Sequence, residues 1–143
     1  MADRTAHVTW SGSLTEGGGR IESVGSGAFG PLDVTWSARA EDSNGLTSPE
    51  ELLAAAHASC FSMALSLGLA KAGIPPERLE TSATVTFIPG TGITKSALTV
   101  RGTVPGMDED AFLEAAAAAK ENCPVSKALA AVPEITLEAR LAS

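Results

Sequence analysis

The chain has 143 residues, 44% of them apolar, 19% charged and 4% aromatic, with a formal net charge of −7. That length suits one domain with a sizeable core, expected to span residues 1–143. The negative balance argues against nucleic acid or an anionic membrane surface as partner, because phosphate would repel it. Two cysteines are too few for a secreted disulfide framework. The N-terminus shows no basic region followed by an apolar run, so a cytoplasmic location is expected.

In chain order, His7 to Trp10 alternates with Val8 and Trp10 on one face, and Gly12 ends the run. Ser11 to Gly19 is a polar, glycine-rich loop, and a second strand is predicted around Arg20 to Val24. A third strand is predicted where Val34, Trp36 and Ala38 share one face while Thr35, Ser37 and Arg39 share the other. Three strands joined by glycine turns read as an antiparallel meander.

The segment Ser48 to Gly73 reads as one long helix with both ends marked. Ser48 is an N-cap, Pro49 suits the first helical position, and Glu51 completes a capping box. Gly73 suits the residue after the helix, and Pro75 and Pro76 prevent resumption. Between these signals the helix has no polar face, so it must be covered on every side. The uncharged run Leu52 to Ala70 is about as long as a bilayer-spanning segment. His57, Ser59, Ser62 and Ser66 interrupt it, however, and neither an aromatic belt nor a basic flank accompanies it. A buried soluble helix is the better reading.

Beyond the prolines, Glu80 to Ile88 alternates, Pro89-Gly90-Thr91-Gly92 turns, and Ile93 to Val104 returns as the second arm of a hairpin. Asp108, Glu109 and Asp110 precede a helix over Phe112 to Ala119. Pro124 stops that helix at or before Cys123 and opens another over Val125 to Ala131. Ile135, Leu137, Ala139 and Leu141 then alternate as a last, half-buried strand. The sum, βββ-α-ββ-α-α-β, is an α+β domain with antiparallel sheets wrapping a long central helix. One small chain can hardly surround that helix, so a homodimer is expected.

Cys60 lies near the middle of the long helix, with small neighbours on its face. A buried cysteine often behaves as a small hydrophobe. Cys123 precedes the proline that starts a helix, where unpaired N–H groups stabilise a thiolate. Two thiols so placed make a peroxidatic and resolving pair conceivable, although their separation in sequence does not place them together. His57 stands one helical turn before Cys60. It reads as a base for the thiol, half of a metal site, or a packed core histidine. A zinc site needs two further ligands, and His7 and Cys123 lie in unrelated elements, so no metal is expected. Glu51 is explained by capping. Glu50 is not, and it lies about 15 Å along the helix from Cys60, so any cooperation between them requires a second chain. Arg39 and Arg20 are the candidate cations beside a thiolate. Gly17-Gly18-Gly19-Arg20 is not a phosphate loop, for no GK[ST] follows it.

Ser48-Pro49-Glu50-Glu51-Leu52, the run Ala55 to Ser66 around Cys60, and Cys123-Pro124-Val125-Ser126 together resemble the OsmC and organic hydroperoxide resistance family, and its osmotically inducible branch in particular. The likeness extends over nearly the whole chain. It implies an OsmC-like fold, an intertwined homodimer with sites at the interface, and a thiol-dependent peroxidase acting in oxidative or osmotic stress defence. On that resemblance Cys60 is the peroxidatic residue, Cys123 the resolving one and Glu50 the helix-start glutamate. Arg39 fits the arginine position of the osmotically inducible branch and Arg20 that of the other; Arg39 is preferred. The implied chemistry runs from a Cys60 sulfenic acid to a Cys60–Cys123 disulfide, reduced by an external dithiol. It favours organic hydroperoxides over hydrogen peroxide and needs no metal, flavin or haem. Two other classes stay open: a hot-dog-like acyl-thioester hydrolase or binder using Glu50 or His57, and a non-catalytic stress protein.

Overall fold

The computed structural model describes residues 1–142, which form two compact units, Met1–Leu52 and a second from Leu53 onward. In the first unit, β1 (Ala6–Ser11), β2 (Gly18–Val24) and β3 (Leu32–Val34) form an antiparallel sheet in the order β1-β2-β3. This is the predicted meander. Gly19 is required where it stands, because a Cβ there would come within 2.6 Å of the Trp10 ring.

The third strand is shorter than the alternation predicts. It ends at Val34, and α1 (Trp36–Ala40) follows, capped by the Thr35 hydroxyl, which accepts from the Ala38 N–H at 3.1 Å. Period-two alternation over so few residues does not outweigh a threonine cap. Arg39 therefore sits in the last turn of a short helix rather than at the end of a strand.

Helix α2 (Pro49–Lys71) begins in the first unit and continues into the second. Its start is half a capping box. Ser48 Oγ accepts the Glu51 N–H at 3.2 Å, while the Glu51 carboxylate accepts from the Thr47 hydroxyl at 2.9 Å. At its other end the Gly73 N–H reaches the Ala70 carbonyl and the Ile74 N–H the Leu69 carbonyl, both at 3.0 Å. With Gly73 at φ +85°, these are the two bonds of a Schellman motif. By length and composition α2 is able to cross a membrane.

In the second unit, β4 (Arg78–Ile88) and β5 (Gly92–Thr103) form the predicted antiparallel hairpin. Strand β6 (Glu134–Leu141) pairs with β5 in parallel, so this sheet is mixed rather than wholly antiparallel. The reason lies in the connection: α3 (Glu109–Asn122) and α4 (Pro124–Ala128) carry the chain back across the sheet, as a parallel neighbour requires. Asp108 caps α3, accepting from the Ala111 N–H at 2.8 Å.

The core takes one stripe of α2, one face of β5 and one side of α3. His57, Phe61, Leu65 and Leu69 recur every fourth residue and are buried, as residues stacked on one helical face should be. Leu98 and Val100 meet them from β5, and Phe112, Ala116 and Ala119 from α3. The expectation of a helix covered all round is not met within one chain. Met63 is 71% exposed and Leu67 57%.

Gly102 lets Phe112 lie against the sheet, since a Cβ there would come within 2.5 Å of Phe112 Cζ. Gly102→Ala is expected to lower stability by about 1–3 kcal/mol, read as a lower urea midpoint at unchanged slope. Combined with Phe112→Leu, the cost should fall below the sum of the single changes. Strict additivity would show that the ring does not occupy that space.

Candidate active site

Cys60 and Cys123, remote in sequence, come together in the second unit. Cys60 projects from α2 and is partly exposed, whereas Cys123 is wholly buried, and both thiols are free. Each is the other's hydrogen-bond neighbour. Cys123 owes its position to the join between two helices. Its N–H closes α3 on the Ala119 carbonyl at 2.9 Å, and Pro124 opens α4. A residue before proline avoids helical angles, and Cys123 accordingly turns the chain at φ −60°, ψ 122°.

Cys60 opens onto a groove of about 680 Å³ lined by Met63, Ala64, Leu67, Ala115, Ala118 and Pro124. Its walls are apolar, with Lys71 and Asn122 as the polar residues on its border. A small organic molecule entering it meets the sulfur of Cys60, while Cys123 is shielded.

The two thiols differ in acidity. Burial pushes the Cys60 thiol up, a hydrogen bond from the Val125 N–H offsets part of this, and the neighbouring Cys123 sulfur raises it further. Burial also acts upward on Cys123, but hydrogen bonds from the Ser126 N–H, Cys60, the Ser126 hydroxyl and the Val125 N–H outweigh it and hold that thiol below its ordinary value. With α4 only five residues long, these are effects of individual groups rather than of a helix dipole. Within the second unit Cys123 is therefore the more acidic of the two thiols, and a cation beside Cys60 would favour its thiolate.

His57 is fully buried, with Nδ1 2.7 Å from Ser96 Oγ and Nε2 2.8 Å from Ser126 Oγ. Burial keeps its pKa below the ordinary 6.5. Of the three sequence readings, the packed histidine describes its surroundings. The sequence does not single out Ser96, and Ser126 enters it only as part of the Cys123-Pro124-Val125-Ser126 motif, without a role of its own. The signal for Ser96 is a hydroxyl on the inward face of β5, in line with Leu98 and Val100. The signal for Ser126 is its place three residues after Cys123.

In the first unit, Arg39 and Glu50 form an ion pair. Both Nη2 (2.8 Å) and Nε (2.9 Å) of Arg39 reach Glu50 Oε1. Glu50 Oε2 is buried and has no hydrogen-bond partner among the described residues. Arg20 is engaged differently. It pairs with Asp33 across β2 and β3 at 2.8 Å, both side chains about half exposed; Asp33 is held below the usual carboxylate range by that hydrogen bond. Arg39 and Glu50 are thus brought together, and Arg20 has a separate partner.

A model of the OsmC-like protein family matches residues 41–138. The chain belongs to the OsmC-like family. It is 43% identical over 137 residues to Peroxiredoxin OsmC of Escherichia coli K12, covering 94% of this chain and 93% of the relative, and the match to Peroxiredoxin OsmC of Shigella flexneri has the same figures. Among solved structures, the organic hydroperoxide resistance protein OhrB of Bacillus subtilis superposes with a TM-score of 0.64 at 26% identity, over 96% of this chain and 98% of that one. An OsmC-like protein of Mycoplasma pneumoniae reaches 0.69 at 17% identity, over 99% and 100%, which shows the shared fold. The OsmC-like fold expected from the sequence is therefore present.

Depression of the His57 pKa has a measurable consequence. As pH falls below 6.5, the unfolded chain takes up a proton on His57 that the folded protein still refuses. The stabilisation from this residue is thus complete above that pH and is lost below it. His57→Gln should make the decline in folding free energy between about pH 7 and about pH 5 shallower. Urea unfolding across that range checks it, and a steeper decline would mean that the folded protein prefers the imidazolium.

Proposed function

We infer that Cys60 and Cys123 are the two thiols through which this cysteine-based peroxidase reduces organic hydroperoxides, more readily than hydrogen peroxide, in peroxide or osmotic stress. The observation that carries this is the meeting of two sequence-distant thiols, one opening onto an apolar groove and the other shielded behind it. The 43% identity to proteins named peroxiredoxins supports the reaction class. The OsmC-like match gives the thioester-hydrolase and non-catalytic readings no support.

The chemistry requires Cys60 as thiolate. Its sulfur attacks one oxygen of ROOH, the O–O bond breaks, and the alkoxide leaves and takes a proton to become the alcohol. Cys60 is then a sulfenic acid. The Cys123 thiolate attacks that sulfur, the S–O bond breaks, and hydroxide leaves as water once protonated, giving the Cys60–Cys123 disulfide. An external dithiol restores both thiols by exchange. No cofactor takes part in these steps.

The missing cation is assigned to Arg39, held by Glu50, from a second copy of the chain. Three features support this. Burial disfavours the charged form of Cys60, Glu50 keeps a buried oxygen with no hydrogen-bond partner among the described residues, and α2 presents the exposed Met63 and Leu67. A homodimer packed along α2 would cover that apolar side and place the Cys60 groove, which Met63 and Leu67 help to line, at the interface. Charge from Arg39 then moves the shared proton from Cys60 to Cys123. Each chain contributes as a single domain to a cytoplasmic enzyme.

One equivalent of cumene hydroperoxide should consume both thiols of the reduced protein and produce an intramolecular disulfide. Cys60→Ser should abolish turnover. Cys123→Ser should stop at a sulfenic acid that dimedone traps, and Arg39→Ala should slow the first step on the order of 100-fold. Normal turnover by Cys60→Ser would refute the assignment.

A further inference from the structure

His57 has no part in the chemistry above, yet it occupies an expensive place. It lies fully buried in the stripe continued by Phe61, Leu65 and Leu69, where an apolar residue would pack without polar demands. A buried polar ring is tolerated when its polar atoms are bonded, and both ring nitrogens are, to hydroxyls from two other elements, Ser96 on β5 and Ser126 on α4. No carboxylate contacts it through these bonds, so the ring is a neutral link between two hydroxyls.

Ser126 joins this link to the thiols. It is the third residue of α4, whose capping residue is Cys123. In a capping box the third residue's side chain reaches back towards the cap; Ser126 holds that position relative to Cys123, and its hydroxyl is among the groups that lower the Cys123 thiol's pKa.

A hydroxyl carries one hydrogen and a neutral imidazole one N–H, so the chain of bonds has a direction. When Ser96 donates to Nδ1, the ring carries its hydrogen on Nε2 and donates it to Ser126 Oγ. The single Ser126 hydrogen is then left for sulfur. In the opposite tautomer that hydrogen is spent on Nε2, and Ser126 offers sulfur only lone pairs. The first arrangement favours a Cys123 thiolate and the second a thiol.

We propose that Ser96, His57 and Ser126 form a buried donor chain that ends on Cys123 and presents it as the nucleophile in disulfide formation, with His57 as a positioning residue acting through Ser126. The inference rests on the assignment of Cys123 as the resolving residue. It makes the chain specific to the second chemical step. Before Cys60 is oxidised, Arg39 favours the thiolate on Cys60. Afterwards Cys60 carries hydroxyl instead of charge, and Cys123, buried from solvent, gives up its proton to the hydroxyl leaving Cys60 as it attacks. The S–S bond forms as the S–O bond breaks, and the departing hydroxide takes up a proton to leave as water.

Single-turnover kinetics with cumene hydroperoxide separate the two steps, using dimedone trapping for the sulfenic acid and mass spectrometry for the disulfide. Ser126→Ala should slow disulfide formation roughly tenfold, the value of one hydrogen bond to a charged group, while Cys60 oxidation stays within about twofold. Ser126→Thr, which keeps the hydroxyl, should restore the rate. His57→Leu should slow the same step alone; if it does not fold, His57→Gln replaces it, and its amide should retain part of the rate. In a Cys60→Ser background, Ser126→Ala should shift the ultraviolet titration of the Cys123 thiolate upward, which general loosening of the core would not do. Equal slowing of both steps, wild-type disulfide formation in Ser126→Ala, or an unmoved titration would overturn the donor chain. If the unsubstituted protein itself formed no disulfide, the two-cysteine mechanism would fail instead.

Discussion

The second unit is built on an apolar helix that is left partly bare. Helix α2 offers no polar face, and the second unit buries the stripe through Phe61, Leu65 and Leu69 while Met63 and Leu67 stay exposed. Apolar surface in contact with water costs about 25 cal/mol per Å², so a second surface of similar character is favoured there. A bilayer would meet only one side of the helix. Ser59 and Ser62 turn their hydroxyls onto the helix's own carbonyls at 2.8 Å, but the buried side of the same helix is already committed to β5 and α3. A second copy of the chain, as proposed, would satisfy the same need and bring charged residues with it.

The same helix carries Cys60, the thiol proposed to meet hydroperoxide, and the surroundings of the two sulfurs differ. Cys60 has access to the groove but lacks stabilisation; Cys123 has stabilisation but lacks access. Together, with the proposed cation at Cys60 and the proposed hydroxyl donor at Cys123, they would suit successive steps. The proton they share is the quantity the protein has to control.

Much of this was legible in the sequence, and the exceptions have physical causes. The ends of α2 were readable because Ser48 and Gly73 are local signals whose bonds lie within a few residues. The β4/β5 hairpin was readable because alternation extends over enough positions to be unambiguous. The third strand was overextended because Val34, Trp36 and Ala38 alternate while Thr35 caps a helix. The parallel pairing of β6 could not be read, since alternation marks a half-buried strand without giving its direction. At the site, both cysteines, Arg39, Glu50 and His57 stood out by residue type. Ser96 and Ser126 did not, because serine is unremarkable until a fold places it against a buried imidazole.

The central claim is that covering α2 and supplying the cation to Cys60 are one event between two chains. Mixed dimers test it most directly. Cys60→Ser chains and Arg39→Ala chains, coexpressed and purified together, leave one site per mixed dimer with both residues intact if Arg39 acts across the interface. The account predicts hydroperoxide reductase activity in the mixture well above that of either variant alone. Activity no greater than the sum of the two separate variants would contradict it.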